Sequence, residues 1–468
     1  MGRVALIGEN SIGYVNTLID IWNNGECAVL LDWRIPFSTA VEMMKEAGVC
    51  TCYIETALYN KLDNVCVSGI SFVLYEKENT TAKLLPRYVY EKYSVNYSQN
   101  EAVIIYSSGT TGKSKGVILS HYAINTNADS IIDYLKPTAS DCMYVVKTMS
   151  HASSLVGELL VALKTHTPIL IAPIIVPPRY TLSNIDMFKV SIICINPTLL
   201  QMYAEEYEKH PNRYMLTSMK DIYVHGAKAN VGLCELAQKV FHFCSIYYEY
   251  GLTEAGPRVA TQKISSQGRY SVGKPIGMVE VMIVDDSGKK ASVDEYGSVY
   301  VKTPSKYLGY VTGISKFKSL YDGWLNTGDI GYIDNNDELN VVGRSDNVMI
   351  IDAHKIYPGE VEAQIIKYSQ AKECVVTEVN LEDSSFIGCL YVGEIEIDRS
   401  VKNKLRNTLM PYEIPKVFLK CNELPKTITG KVSLADVQHL LEVYVTRKKT
   451  NNRLIVRLDV RRMVALFC

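Results

Sequence analysis

A chain of 468 residues is too long for one ordinary domain, so the sequence predicts two or three domains. Hydrophobic residues account for 47% of the sequence and charged residues for 21%, which is typical of a globular protein with a sizeable buried core. The formal net charge of −1 argues against nucleic acid or an anionic membrane as the main partner.

The first hundred residues alternate short apolar runs with segments of helical periodicity. The runs "RVALIG" and "CAVLLD" are typical of buried strands, and "SIGYVNTLIDIWNNG" between them predicts a helix that ends at Gly25. This βαβ pattern favours a mostly parallel sheet covered by helices. The pattern returns in residues 140–250, where "CMYVVKTM", "TPILIAP", "SIICINP" and "DIYVHG" are strand-like.

The pattern changes near residue 270. Apolar and polar residues alternate in "VEVMIVDDSGKKASVDEYGSVYVKT", which predicts antiparallel hairpins. We therefore expect an α/β protein in which a large domain of βαβ-type sheets carries a small β-barrel-like sheet, followed by a small, mobile α+β domain. The predicted boundaries are 1–343 for the large domain, 344–347 for a hinge, 348–442 for the small domain and 443–468 for a basic tail.

The cysteines and the first residues bear on the cellular compartment. The 12 cysteines include no C-x-x-C pair, so we expect reduced core thiols and neither disulfides nor a metal site. The sequence "MGRVALIGEN" has no basic region followed by a signal-peptide core, and no apolar run approaches the length of a membrane span. These features predict a cytoplasmic protein.

The loop "YSSGTTGKSKGVILSH" at 106–121 combines small hydroxyl residues, glycines and lysines, which predicts a cradle for phosphate groups. A Walker A loop of a P-loop ATPase is one alternative, but its first glycine position holds Ser107, and "GVILS" predicts a strand where that motif requires a helix. A flexible hairpin tip is the other alternative, although it does not explain the clustered hydroxyls and lysines.

Seven motifs in a fixed order resemble the adenylate-forming superfamily of acyl- and aryl-CoA synthetases, peptide-synthetase adenylation domains and luciferases. They are "YSSGTTGKSKGV", "HGAKA" at 225–229, "YEYGLTEAG" at 248–256, "SVGKPIGMVEVMIVD" at 271–285, "GWLNTGDIGYID" at 323–334, "GRSDNVMIIDAHKIYPGEVE" at 343–362 and "PKTITGKVS" at 425–433. The resemblance implies a two-step reaction. A carboxylate attacks the α-phosphate of ATP to give an acyl-adenylate and pyrophosphate, and a thiol then displaces AMP.

The resemblance also implies roles for individual residues, with ATP and Mg²⁺ as cofactors. The nucleotide-binding residues are Ser107, Ser108, Gly109, Thr110, Thr111, Gly112, Lys115, Gly226, Ala227, Tyr250, Asp329 and Arg344. The catalytic residues are Lys431, Thr253, Glu254 and His151, with Glu254 also the Mg²⁺ ligand and Asp346 the hinge.

Several of these residues have ordinary structural alternatives. Tyr250 and His151 are also typical of a packed core, and Lys115 of a solvated surface. A Thr-Glu pair such as Thr253 and Glu254 commonly begins a helix. Asp329 and Arg344 together are also typical of a structural ion pair.

Two further resemblances narrow the classes of carboxylic acid and acceptor thiol that the enzyme is expected to use. Amino-acid-activating relatives place an aspartate where this chain has Ser153, so a buried substrate ammonium would lack a partner and an amino acid is disfavoured. Asp352 and Ala353 replace two glycines of many CoA-using relatives, and Lys355 matches several carrier-loading enzymes. We expect an aryl or other non-amino acid and a phosphopantetheine thiol of a carrier protein or CoA. A fatty acid, an amino acid and a catalytically inactive relative remain alternatives.

Overall fold

The computed structural model describes residues 2–62, 67–107, 114–172, 176–226, 231–264, 271–313, 319–351, 354–369, 371–381, 384–394, 396–426 and 432–449. Contacts divide the chain into two compact units. The first unit comprises Met1–Gly226, Ala237–Thr327 and Tyr332–Asn340, and the second comprises Ala227–Leu236, Gly328–Gly331 and Val341–Cys468.

The strands, in chain order, are β1 Arg3–Ile7, β2 Cys27–Leu31, β3 Thr51–Glu55, β4 Ser71–Tyr75, β5 Lys83–Leu84, β6 Glu101–Ser107, β7 Lys115–Ser120, β8 Met143–Val145, β9 Ile169–Ile171, β10 Ile192–Ile195, β11 Asp221–Val224, β12 Ser245–Tyr250, β13 Ala260–Lys263, β14 Ser271–Pro275, β15 Glu280–Val284, β16 Gly297–Lys302, β17 Gly309–Tyr310, β18 Leu325–Ile333, β19 Leu339–Arg344, β20 Met349–Ile351, β21 His354–Ile356, β22 Glu373–Leu381, β23 Ser384–Val392 and β24 Val417–Cys421.

The α-helices are α1 Ile12–Asn23, α2 Phe37–Glu46, α3 Thr56–Tyr59, α4 Arg87–Lys92, α5 His121–Leu135, α6 Ala152–Ser154, α7 Val161–Thr165, α8 Pro178–Phe188, α9 Pro197–Lys209, α10 Val231–Val240, α11 Pro358–Ser369, α12 Arg399–Arg406 and α13 Leu434–Lys449. A π-helical turn, Leu155–Leu160, joins α6 to α7. Within the described ranges, no helix combines the length and apolar character needed to cross a bilayer.

The first unit contains a seven-stranded sheet, whose strand order is β17-β7-β6-β2-β1-β3-β4. β1 is parallel to both β2 and β3, and β2 is parallel to β6, as the βαβ pattern predicts. α1 begins where the Ser11 side chain accepts a hydrogen bond from the Tyr14 backbone, and the chain leaves the helix through Gly25 at φ 72°. The apolar periodicity, the cap at Ser11 and the glycine at Gly25 therefore predict this helix at its observed position.

A twelve-stranded sheet follows, with the order β15-β16-β18-β19-β14-β13-β12-β11-β10-β8-β9-β5. β8, β9, β10 and β11 are parallel neighbours, which confirms the strands predicted in residues 140–250, and β12 extends the parallel set. The antiparallel strands predicted after residue 270 are present and are hydrogen-bonded to the end of this sheet. Parallel strands matter for function because their carboxyl ends meet at one edge of the sheet.

In the second unit, β22, β23 and β24 form a small sheet next to the hairpin of β20 and β21. Successive residues of β22 point to opposite faces, so Val376 packs with Ile365 of α11 and Val375 packs with Leu441 of α13. Each face of the sheet thus has its own apolar core under a helix. This arrangement agrees with the predicted α+β character.

Candidate functional site

The predicted phosphate loop connects two antiparallel neighbours. β6 ends at Ser107 and β7 begins at Lys115, and these two residues are paired across the ladder. A P-loop leads from a strand into a helix, so this strand-to-strand connection contradicts the Walker A alternative. The predicted residues Ser108, Gly109, Thr110, Thr111 and Gly112 lie outside the described residues.

Lys115 and Glu254 converge on the side chain of Tyr310. β17 pairs with β7, which places Tyr310 opposite Val117 at the start of the strand that follows the loop. Tyr310 Oη donates a 2.8 Å hydrogen bond to Glu254 Oε1, and Lys115 Nζ lies 5.3 Å from the centre of the Tyr310 ring. Burial and the neighbouring Glu254 carboxylate raise the pKa of Tyr310, so its hydroxyl stays protonated and keeps donating.

Glu254 has the chemistry of a ligand for phosphate-bound Mg²⁺. Thr253 and Glu254 lie on a single 3₁₀ turn, Thr253–Ala255, and both are half-buried. The hydrogen bond from Tyr310 uses only Oε1 of the carboxylate. Among the described residues, no group of three or more acidic, histidine or cysteine side chains could form a metal cage. Mg²⁺ bound beside phosphate groups needs only one protein carboxylate, because phosphate oxygens and water complete its coordination.

The carboxyl ends of the parallel strands bring a second set of side chains together. Lys147 follows β8, His225 follows β11, and Tyr250 ends β12. Lys147 Nζ lies 2.7 Å from His225 Nε2 and 2.7 Å from Glu158 Oε1 in the π-helical turn. Ligands of open parallel sheets bind beyond this edge, so these residues are candidates for contact with a substrate.

Burial sets the charge states around Lys147. It lowers the pKa of His225 well below its ordinary value, and the charges of Lys147 and Arg258 lower it further. His225 is therefore neutral at pH 7, and its Nε2 accepts from Lys147. Burial also raises the pKa of Glu158, although the ammonium of Lys147 opposes this shift.

A second buried ion pair joins residues on both sides of Thr253 and Glu254 in the sequence. The side chains of Arg258 and Glu249 form an ion pair and are 3% and 0% exposed. Tyr134 Oη donates a 2.5 Å hydrogen bond to Glu249 Oε1 and accepts one of 3.0 Å from Arg258 Nη1. This triad fixes the end of β12, which carries Tyr250.

The structure gives the remaining predicted residues of the first unit the following positions. Tyr250 is half-buried and is paired with Ala260 of β13. Gly226 is exposed with φ 89°, a conformation that favours glycine, while Ala227 lies outside the described residues. His151 is half-buried, directly precedes α6 and is near enough to Asp32 to affect the pKa of that carboxyl group.

Asp329, Arg344 and Asp346 lie together in the second unit. Arg344 Nη1 is 3.2 Å from Asp329 Oδ1, and Arg344 Nε is 3.6 Å from Asp346 Oδ1. The ion pair considered in the sequence analysis is therefore present. The predicted residues Lys431, Asp352 and Ala353 lie outside the described residues.

Sequence reasoning missed Lys147, Glu158 and Tyr310, and it assigned no role to His225, although this residue begins the "HGAKA" motif. One signal was available for Glu158, because an acidic residue inside the apolar run "SSLVGELLVAL" predicts a buried carboxylate that needs a partner. No local signal distinguished Tyr310 among 32 tyrosines.

Comparison with known proteins identifies the family. The AMP-binding enzyme family matches residues 2–311. The chain belongs to this family. The AMP-binding enzyme is 26% identical over 432 residues to 4-coumarate–CoA ligase CCL1 of Humulus lupulus, which covers 85% of this chain and 77% of the relative. It is 24% identical over 440 residues to 2-succinylbenzoate–CoA ligase of Enterococcus faecalis. That alignment covers 92% of this chain and 87% of the relative.

Solved structures share the fold of this AMP-binding enzyme. O-succinylbenzoate coenzyme A synthetase of Bacillus subtilis in complex with AMP superposes with a TM-score of 0.75 at 22% identity, covering 92% of this chain and 87% of that one. ATP-bound MatB of Rhodopseudomonas palustris superposes with a TM-score of 0.78 at 20% identity. This superposition covers 94% of this chain and 89% of the MatB chain. The predicted adenylate-forming family, the fold class and the enzyme class of an ATP-dependent acid–thiol ligase are confirmed.

Proposed function

We propose that this enzyme activates an aryl or other non-amino carboxylic acid as its acyl-adenylate and transfers the acyl group to the thiol of CoA. The observation that carries the proposal is the convergence of Lys115 and Glu254 on Tyr310, at the end of an antiparallel loop of phosphate-binding composition. A cation and an Mg²⁺ ligand beside such a loop are what a carboxylate needs in order to approach a polyphosphate.

The proposed roles follow from the family resemblance of the motifs. Ser107, the loop residues 108–112 and Lys115 bind the triphosphate, Thr253 binds the α-phosphate, and Tyr250 with Gly226 and Ala227 binds adenine. His151 contacts the acid. Glu254 would hold Mg²⁺, which would supply positive charge against the phosphate charge that repels the incoming carboxylate. In the second unit, Asp329 and Arg344 bind the ribose hydroxyls and Lys431 bridges the carboxylate and the α-phosphate.

The contacts of Glu158 argue against an amino acid substrate. It is the acidic residue of the stretch that recognises the substrate ammonium in amino-acid-activating relatives, but its Oε1 is bound to Lys147. A substrate ammonium at this position would meet the positive charge of Lys147 and would compete with it for the carboxylate. An acid without an amino group avoids this conflict.

CoA is the proposed acceptor because curated relatives that align along most of the chain are acid–CoA ligases. A carrier-protein thiol is the second candidate, favoured by Lys355, which is exposed on β21. We further propose that the chain works in the cytoplasm, since the ten described cysteines carry free thiols, as in a reducing compartment. The proposed working division remains 1–343, a hinge at 344–347 with Asp346, 348–442, and a tail at 443–468.

The direct test is ATP–pyrophosphate exchange across a panel of aryl, fatty and amino acids. We expect exchange that requires both an added acid and Mg²⁺, with aryl acids preferred, followed by AMP release when CoA is added. A reaction that releases phosphate without any acid would contradict the proposal and favour a simple ATPase. Thioester formation with a phosphopantetheinylated carrier protein but not with CoA would overturn the proposed acceptor alone.

The substitution Tyr310→Phe tests whether Tyr310 orients Glu254. Loss of the hydroxyl leaves Glu254 Oε1 without this donor, which should cost about 1 kcal/mol and raise the KM for Mg²⁺–ATP roughly fivefold. The KM for the acid should stay unchanged. Tyr88→Phe is the matched control, because Tyr88 Oη donates a 2.9 Å hydrogen bond to Glu78 on an exposed surface. An equal effect in both variants would refute a specific role for Tyr310.

A further inference from the structure

A cavity of about 310 Å³ lies in the first unit between α1, α5 and residues 93–96. It lies at the end of β7 that is remote from the phosphate loop, because His121 directly follows this strand and lines the cavity. β7 runs from Lys115 beside the loop to Ser120 beside the cavity. At the usual rise of a strand these ends are roughly 17 Å apart, so the cavity is distinct from the proposed nucleotide site. Its exposed rim, residues 94–96, gives a ligand access from solvent.

The walls of the cavity are aromatic and are held in place by hydrogen bonds within the protein. Trp22 Nε1 donates a 3.0 Å hydrogen bond to the backbone oxygen of Ala102. Tyr93 Oη donates one of 2.9 Å to Asn125 Oδ1. The ring centre of Trp22 lies 6.4 Å from that of Tyr93 and 6.0 Å from that of His121. The polar atoms of Trp22 and Tyr93 are thus already bonded, and their rings are available for packing against a ligand.

His121 is a buried polar side chain of this cavity that lacks a hydrogen-bond partner among the described residues. It is 4% exposed, and its backbone is bonded to Asn100 and to Asn125, but no hydrogen bond from the described residues reaches either ring nitrogen. Burial lowers the pKa of His121, so the imidazole is neutral at pH 7 and offers one N–H donor and one acceptor nitrogen. Since an unpaired buried polar group is costly, a ligand that bonds to this ring is favoured.

The size and the charge of the cavity define the class of ligand that fits it. Small-molecule sites commonly enclose about 300–1,000 Å³, and an apolar cavity of about 150 Å³ holds benzene, so there is room for a bicyclic aromatic molecule. Ile19, Ile124 and Leu160 add apolar surface, and no charged side chain is among the described lining residues. An ionised ligand would therefore be buried without a counter-ion. A pure hydrocarbon would leave His121 unpaired.

We propose that this cavity binds a small, neutral, planar aromatic molecule whose N–H or O–H group forms a hydrogen bond with His121. The molecule packs against the rings of Trp22 and Tyr93 and donates to the acceptor nitrogen of the imidazole. Charge excludes carboxylate substrates and ATP, so the site is separate from the sites of both. This inference goes beyond the proposed function and does not depend on it, because binding is measured without turnover.

Isothermal titration calorimetry on the full chain tests the proposal with indole and two related probes. Indene has the same ring size but lacks the N–H group, and indole-3-acetate adds a carboxylate. We expect indole to bind with a Kd below about 1 mM, indene to bind at least about threefold more weakly, and indole-3-acetate at least about tenfold more weakly. Saturating AMP, together with any acid that supports exchange, should leave the Kd for indole within about twofold of its value for the free enzyme, as expected for separate sites.

Three variants locate the binding site. His121→Leu removes the ring nitrogens and should bring the ratio of the Kd for indene to the Kd for indole to about one. His242→Leu is the matched control, because His242 is exposed and lies edge-on to Phe243 at 5.5 Å, and it should leave this ratio unchanged. Ile124→Trp fills the cavity and should abolish the binding of both probes. If Ile124→Trp fails to fold, the ratio in His121→Leu still decides the test.

Each other outcome overturns the inference. A Kd for indole above about 1 mM would mean that the cavity holds water only. Equal affinities for indole and indene, a ratio that survives in His121→Leu, or binding of indole-3-acetate as tight as that of indole would contradict the proposed class of ligand. Competition with AMP or with the acid would place indole in a substrate site and would leave the proposed function untouched. Absence of ATP–pyrophosphate exchange with every acid would overturn the proposed function and leave this inference standing.

Discussion

Replacing Lys431 by alanine should lower acyl-adenylate formation by about 10²–10³-fold and leave thioester formation from supplied acyl-adenylate intact. The expectation comes from the resemblance of "PKTITGKVS" to the family motif that carries the late catalytic lysine. The negative charges of the acid and the α-phosphate repel each other during adenylation, and a compact ammonium between them stabilises the transition state. No such pair of charges has to be joined when a neutral thioester replaces the adenylate.

Lys426→Ala is the matched control for this prediction. Lys426 lies in the same motif, pairs with Val432 by an isolated β-bridge and has its Nζ 3.5 Å from Glu373. Its loss should leave both half-reactions within about twofold of the wild type, as expected for an exposed ion pair. The two half-reactions are measured separately, by ATP–pyrophosphate exchange and by thioester formation from synthetic acyl-adenylate. Equal loss of both in Lys431→Ala would contradict a role confined to adenylation.

The sequence predicted those parts of the fold that depend on local signals. The strand "RVALIG", the helix that follows Ser11 and the strand "CAVLLD" could be recognised because apolar periodicity and a cap act within a few residues. The order of the strands that follow residue 270 could not be read in this way. It depends on pairings such as that of Ser271 in β14 with Asn340 in β19, which are distant in sequence.

The same distinction applies to the candidate site. The loop beginning at Ser107 and the "YEYGLTEAG" motif were visible because their composition is unusual for ordinary loops and strands. The contacts of Tyr310 with Glu254 and of Lys147 with His225 span 56 and 78 residues of sequence. Only the fold brings these side chains together, and each residue type alone is common in a protein core or on its surface.

The buried ion pair of Arg258 and Glu249 should be among the most sensitive positions of the first unit. Arg258→Met leaves the Glu249 carboxylate buried with Tyr134 as its remaining hydrogen-bond donor of the triad. Removing one partner of a buried pair typically costs about 3–5 kcal/mol, because the remaining charge is neither solvated nor compensated. The Asn127 side chain, which exchanges hydrogen bonds with the backbone of Arg258, is expected to hold the segment in place without restoring that charge balance.

Denaturant unfolding followed by tryptophan fluorescence measures this effect on the first unit, because Trp22, Trp33 and Trp324 all belong to it. Arg258→Met should shift the midpoint of unfolding to a clearly lower denaturant concentration. Arg179→Met, on the exposed face of α8, should change the free energy of unfolding by less than about 0.5 kcal/mol. The triple variant Arg258→Met/Glu249→Leu/Tyr134→Phe removes every polar member of the triad and should recover much of the loss, since the cost arises from the unpaired charge rather than from missing attraction. If the single variant were as stable as Arg179→Met, the buried pair would contribute nothing to holding the end of β12. The position of Tyr250 would then have to depend on the pairing of β12 with β11 and β13.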